Sequence, residues 1–296
     1  MGAAFVLAAG AGGWVASAPR PAFSEADAGL FEGGDAERGR IIFIAGDCAS
    51  CHASPGQDDR LRLGGGMSLA GPIGFFRPPN ISPDLQDGIG RWRGLDLANA
   101  LMSGVSPDGR HYYPALPYVA YAKMQPRDVA DLMAYLRSLP AVSGKPPEHD
   151  VPFPFTVRRA IGLWKLLFLD RSPIEPDSNR DDSWNRGQYL AEALGHCTEC
   201  HATRNLLGAV KPATRYAGGP DQEGTGFVPN ITPAGIGHWS RDDLVELFTT
   251  GSTPDGRRVG SSMADVVVNT ATLGLQDRQA IADYVLALPS RPTPQP

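Results

Sequence analysis

The sequence predicts a mainly α-helical chain made of two tandem copies of one module. Three observations carry this expectation. The pentapeptide Cys48-Ala-Ser-Cys51-His52 recurs as Cys197-Thr-Glu-Cys200-His201, and the two copies account for all four cysteines. Around each copy the same short motifs follow in the same order. Each copy closes on a run with apolar residues at helical spacing that a proline stops, at Pro140 and again at Pro289.

Taken in order, residues 1–35 are an export or anchor segment and lead-in. No charge precedes Arg20, and the run is rich in alanine and glycine. A cleaved signal peptide would suit Ala16-x-Ala18, but a basic start is missing and Pro19 would follow the cut. An uncleaved anchor is the reading adopted, over a disordered tail; it puts the body of the protein in the periplasm, attached to the cytoplasmic membrane.

The first module spans 36–140. Arg38-Gly39 and apolar Ile41-Ile42 open the helix leading into the cysteine motif. Pro79-Asn80-Ile81-Ser82-Pro83 and Gly88-Ile-Gly90 with Trp92 form a long loop. A middle helix carries Leu97 and Leu101, Pro107-Asp-Gly109 turns the chain, and Asp128 to Leu139 is the terminal helix. The second module, 183–290, repeats these features as Arg186-Gly187, Tyr189-Leu190, Pro229-Asn230-Ile231-Thr232-Pro233, Gly235-Ile-Gly237 with Trp239, Leu244 and Phe248, Pro254-Asp-Gly256, and Asp277 to Leu288. Asn80 and Asn230 are expected to brace the loop. Residues 141–182 belong to neither copy; they hold an apolar helix candidate from Arg158 to Leu169, expected to pack across both modules or to dock a partner or membrane. Residues 291–296 are a tail.

The cysteine motif names the chemistry. Two thiols three positions apart on one helical turn can form thioethers with the two vinyl groups of a haem, and the following histidine can ligate the iron. Cys48, Cys51 and His52, and then Cys197, Cys200 and His201, are therefore read as attachment sites for two covalent haem c groups. A single zinc site would have to join pairs 149 positions apart (Cys48 to Cys197), each with its own histidine. A thioredoxin-like pair would need alternating strands and helices, and disulfides would leave the histidines unexplained.

A low-spin electron carrier needs a sixth ligand, and methionine sulfur raises the potential. Met263 is the sole methionine of the second module and stands in the loop before its terminal helix. The repeat puts Leu116 opposite it in the first module, and leucine cannot ligate; Met124, eight residues later, is the candidate there. His111 is its rival, and an open site is the other alternative. Met102 and Met133 suit core packing. Trp92 and Trp239 offer indole N–H donors for a haem propionate, or else serve as core aromatics.

With 27 basic and 32 acidic side chains the net charge is −5, which disfavours nucleic acid as a partner. The 35 glycines and 27 prolines imply short helices and long turned loops.

The order of elements in each module resembles that of class I cytochrome c domains. The run His111-Tyr-Tyr-Pro-Ala-Leu-Pro-Tyr-Val-Ala-Tyr121, the paired Pro-Asn-Ile motifs, and His196-Cys-Thr-Glu-Cys-His-Ala-Thr-Arg-Asn205 further resemble the cytochrome c subunits of membrane-bound alcohol, gluconate and aldehyde dehydrogenases, over about residues 36 to 290. Many of those subunits have methionine where this chain has Leu116, and the larger ones carry a third C-x-x-C-H that is absent here. The resemblance implies a dihaem electron-transfer subunit rather than an enzyme. A dehydrogenase subunit would be its electron donor, and a quinone-linked protein, a cytochrome or a terminal oxidase its acceptor. A dihaem peroxidase or oxidase with an open first haem, and a tethering role, are the competing readings.

Overall fold

The computed structural model of the protein describes residues 12–224 and 226–295, and most of the expected anchor segment lies outside them. Helices dominate, and the same element order occurs twice. In the first half a helix Ala36–Ala45 leads into the motif helix Cys48–His52, a hairpin follows, then a middle helix Gly94–Ser103, a single turn Tyr118–Tyr121 and a terminal helix Pro126–Ser138. In the second half the corresponding elements are Asp182–Tyr189, a turn of 3₁₀ helix Cys197–Glu199, a shorter hairpin, Arg241–Thr250, Ser262–Thr270 and Leu275–Leu286. The hairpins, antiparallel pairs of Leu69–Gly71 with Gly74–Phe76 and of Gly219–Pro220 with Phe227–Val228, were not expected from the sequence.

Local chemistry sets the boundaries. Asp35 caps the first helix by accepting from the Arg38 amide at 2.9 Å, and Asp181 does the same for the Trp184 amide at 2.8 Å. Both middle helices end on a glycine in the left-handed region, Gly104 at φ 59° and Gly251 at φ 76°. The segment before the terminal helix differs most. Pro114 and Pro117 restrict the first half to a single turn, whereas no proline interrupts residues 255–288 and a nine-residue helix forms.

The first and terminal helices of each half cross at a glycine. A Cβ on Gly39 would lie 1.9 Å from the Asp131 carbonyl oxygen, and one on Gly187 would lie 1.9 Å from that of Ala280. This contact is the physical reason for the repeated Arg-Gly pair. The arginine beside each glycine reaches the terminal helix differently: Arg38 Nε meets the buried Asp131 carboxylate at 2.7 Å, whereas Arg186 Nε meets Asp277 at 2.9 Å. The apolar interiors of the two halves merge into one core that includes Leu63, Leu97, Met124 and Leu132 on one side and Leu190, Leu194, Phe248 and Val285 on the other.

The repeated asparagine also reaches past residues 140 and 290. Asn80 Nδ2 donates to the carbonyls of Val142 (2.6 Å) and Gly144 (3.0 Å), and Asn230 Nδ2 donates to that of Arg291 (2.8 Å) and to Thr293 Oγ1 (3.0 Å). Residues just past 140 and just past 290 are thus tied into their halves by the repeated asparagine. The intervening helix, Arg159–Phe168, spans both halves: Lys165 Nζ donates to the carbonyls of Ser103 and Gly104, and Trp164 Nε1 to that of Leu207. Among the described residues no helix is long and apolar enough to cross a membrane.

Candidate functional site

Each cysteine motif is entered through a left-handed residue, Asp47 at φ 53° and His196 at φ 39°. Asp and His tolerate this region better than most side chains, and the reversal delivers the chain into the cysteine turn. Cys48, Cys51 and His52 then occupy one helical turn. In the second copy Cys197 and His201 are joined by a bond from the His201 amide to the Cys197 carbonyl at 3.0 Å. All four thiols are unpaired. Burial pushes Cys48, Cys51 and Cys197 up to about 12, and the more exposed Cys200 to about 11. Thiols this reluctant to ionise are inert as redox pairs, and among the described residues no three Cys, His, Asp or Glu side chains are gathered to hold a metal.

The two histidines are held alike. His52 Nδ1 lies 2.8 Å from the Pro79 carbonyl oxygen and His201 Nδ1 lies 2.8 Å from that of Pro229. A carbonyl only accepts, so Nδ1 carries the proton and Nε2 keeps its lone pair for a metal. Burial lowers both imidazoles, which keeps them neutral as ligation requires. The repeated Pro-Asn-Ile motif therefore has two tasks. Its proline carbonyl orients the histidine, and its asparagine oxygen accepts from the amide two residues on, Ser82 at 2.9 Å and Thr232 at 2.8 Å, fixing the loop. Two thiols on one turn, a neutral oriented imidazole and an apolar surround fit a covalently attached haem, twice over.

The remaining candidates fall as follows. Met124 is 4% exposed and belongs to the core that also contains Ala49 and Leu63 beside the first motif. Met263 is half-buried against the same continuous core, next to Ser261, whose φ of 53° and ψ of −151° are strained for a residue with a Cβ. Leu116 packs at the core edge, and Met102 and Met133 are buried within it. His111 has both ring nitrogens engaged, Nε2 with the Ser17 carbonyl at 2.9 Å and Nδ1 with Lys165 Nζ at 3.2 Å, so it is not available as a ligand. Trp92 and Trp239 pack against the core, but Trp239 Nε1 donates to His238 Nε2 at 3.0 Å.

Sequence reasoning missed the junction that brings the two motifs together. Asn269 Nδ2 donates to the Asp47 carboxylate and to Ser50 Oγ (3.0 Å), and Arg60 Nη1 pairs with Asp265 at 2.9 Å. The Tyr121 and His196 rings meet edge to face at 5.8 Å, while Tyr121 Oη donates to the Gly46 carbonyl at 2.8 Å. Tyr189 Oη accepts from the Gln125 amide at 2.9 Å and donates to Asp128. Also missed was a polar cluster confined to the second half, where Glu192 accepts from Tyr216 Oη (2.7 Å) and Tyr284 Oη (2.6 Å) and pairs with Arg215. Glu192 lies in a π-helical segment, Leu190–Leu194, a local widening that turns its carboxylate toward these partners. The only sequence signal was the repeated tyrosine of the terminal helix, Tyr135 and Tyr284.

The family model for cytochrome c matches residues 36–140. A dihaem c-type cytochrome of Cereibacter sphaeroides is 48% identical over 98% of this chain and 97% of its own length. The fructose dehydrogenase cytochrome subunit of Gluconobacter japonicus is 36% identical over 86% of the chain, and the gluconate 2-dehydrogenase cytochrome c subunit of Pantoea cypripedii 31% identical over 88%. The chain spans 52% and 60% of the lengths of those two subunits. The paired cysteine turns, the matched histidine geometry and full-length similarity at nearly half identity lead to one conclusion: the chain belongs to the dihaem c-type cytochromes, electron-transfer proteins that hold two covalently bound haem c groups.

Proposed function

We propose that this protein is two tandem class I cytochrome c domains that relay single electrons from a periplasmic dehydrogenase partner to the respiratory chain. The observation that carries the reading is the identical setting of His52 and His201, each neutral and oriented by a proline carbonyl at 2.8 Å. When bound, each haem supplies an iron that cycles between ferrous and ferric states. The chain's own residues do the rest. His52 and His201 would each hold an iron, with Met124 and Met263 as the second ligands, whose thioether sulfur would favour the reduced state. The apolar core would keep water from the bound haem and so limit solvent reorganisation on electron transfer. Trp92 offers its indole to a propionate.

The relatives' names support a dehydrogenase partner, and the uncharged residues before Arg20 support attachment to the outer side of the cytoplasmic membrane. A second reading, a dihaem peroxidase with an open first iron, rests on Leu116 standing where the second half has Met263. Potentiometric titration of the haem-loaded protein, followed by electron paramagnetic resonance, separates the two. The relay requires two one-electron waves and low-spin signals from both irons. A high-spin iron that binds peroxide would sink it.

A further inference from the structure

The helix Arg159–Phe168 is built inside out. Ile161, Gly162 and Lys165 face the protein, while Leu163, Leu166 and Leu167 face outward, the last two 60% and 68% exposed against 8% for Lys165. A helix covered by water on its outer side has the opposite pattern. The arrangement is held in place from within. The Lys165 ammonium has three acceptors for its three protons, the carbonyls of Ser103 at 2.7 Å and Gly104 at 2.6 Å and His111 Nδ1 at 3.2 Å, and it lies 4.6 Å from the centre of the Tyr118 ring. A Cβ on Gly162 would lie 2.2 Å from the Ser17 carbonyl oxygen, so the inner face is seated on backbone. Rotating the helix to bury its leucines would break all of these contacts.

The apolar face continues beyond the helix. The bond from Trp164 Nε1 to the Leu207 carbonyl, at 2.8 Å, brings in the turn that bears the fully exposed Leu206. At the other end Arg159 stacks on the exposed Trp14 at 4.1 Å. Between Asp150 and Asp170 the chain carries no acidic residue, and Arg158 and Arg159 stand at the start of the helix, although the net charge of the chain is −5.

We propose that this face rests on a lipid bilayer with anionic headgroups, with Leu166, Leu167, Leu206 and Leu207 entering the boundary between headgroups and acyl chains. Outward leucines, a tryptophan and rim arginines are the groups that settle at that depth. The local positive charge favours an anionic lipid surface. Continuity with Trp14, which lies within the uncharged run before Arg20, favours a membrane over a protein partner. Leu206 follows His201 by five positions, so the docked surface holds the second haem-binding motif beside the membrane. This contact is separate from any anchoring by residues 1–11.

The test uses the full-length, haem-loaded protein. Sedimentation with vesicles of phosphatidylethanolamine containing about one-third phosphatidylglycerol measures affinity, and hydrogen exchange locates the contact. Adding vesicles should protect the segments around 159–168 and 204–209, and the protection should persist in a Phe5→Asp/Leu7→Asp variant. Leu166→Asn/Leu167→Asn should bind roughly tenfold more weakly with unchanged haem spectra, because two apolar side chains are lost from the interface. Raised salt should weaken what binding persists. The proposal is overturned if the leucine variant binds vesicles normally, if only the Phe5→Asp/Leu7→Asp change abolishes binding, or if the leucine variant loses a dehydrogenase partner while keeping its affinity for vesicles.

Discussion

Asn269 of the second half donates its side-chain amide to the carboxylate of Asp47, the residue immediately before the first haem-binding cysteine. The same amide reaches Ser50 Oγ inside the cysteine motif at 3.0 Å. One side chain thus ties the attachment turn of the first haem to the helix Ser262–Thr270, which carries Met263. Burial raises the Asp47 carboxyl above its ordinary range, and the bonds from Ser50 and Asn269 pull it back.

Asn269→Ala should therefore cost about 1–3 kcal/mol, the scale of a buried charged acceptor deprived of a donor. The sign of the pH dependence follows from the form of Asp47 that Asn269 serves: its amide stabilises the carboxylate against the upward push of burial, so its contribution is present where Asp47 is ionised and is lost as pH falls through the folded pKa. The difference between wild type and variant should accordingly shrink in acid. Chemical denaturation at neutral and acidic pH measures both effects, and an equal cost at both would contradict this account.

Met124→Ala and Met263→Ala should each convert one haem from low to high spin and lower one of the two potentials. Met124 is also core, so its removal carries about 2–5 kcal/mol of lost packing, more than the half-buried Met263. A Met124→Leu variant keeps the volume and separates the roles. Its stability should stay near wild type while its spin state follows the alanine variant; low spin in both would remove Met124 from the coordination sphere.

At the helix crossings, Gly187→Ala should destabilise by about 3 kcal/mol, the upper end of the cost of overpacking, because the opposing atom is backbone and cannot turn aside. Gly39→Ala should match it. By contrast, Gly256→Ala meets no atom nearby and bears only the strain of φ 80°. Denaturant midpoints of the three variants rank these costs, and a milder effect at Gly187 than at Gly256 would refute the crossing.

Lys165 gives a second pH signature. Burial, with Arg171 adding to it, lowers its ammonium to about 7. The unfolded chain then binds more protons than the folded one between about pH 7 and about pH 10, so stability should rise with pH across that window. His111, lowered by burial and facing Lys165, acts in the same sense at lower pH. Lys165→Met should flatten the rise; an unchanged slope would place the titrating group elsewhere.

Much of the site was legible because its chemistry is contiguous. Cys48, Cys51 and His52 need only one helical turn to meet, and the repeat exposed their twins. The asparagines were read as braces, but not the segments they hold, Val142 to Gly144 and Arg291 to Thr293, which carry no motif of their own. His111 looked free to ligate because nothing in its neighbours in sequence shows that Ser17 and Lys165, 94 and 54 positions away, engage both its nitrogens.

The chain alone thus carries the signature of two covalent haems, a histidine placed after each cysteine pair and a duplicated helical plan, since covalent spacing and helical period act over a few residues. Contacts made across long separations decide the rest. They bring Asn269 to Asp47 and seat Lys165 inward with the leucines of its helix outward. A hydrogen-bonding group is satisfied by whatever partner the fold brings within about 3 Å, and sequence proximity does not predict that partner.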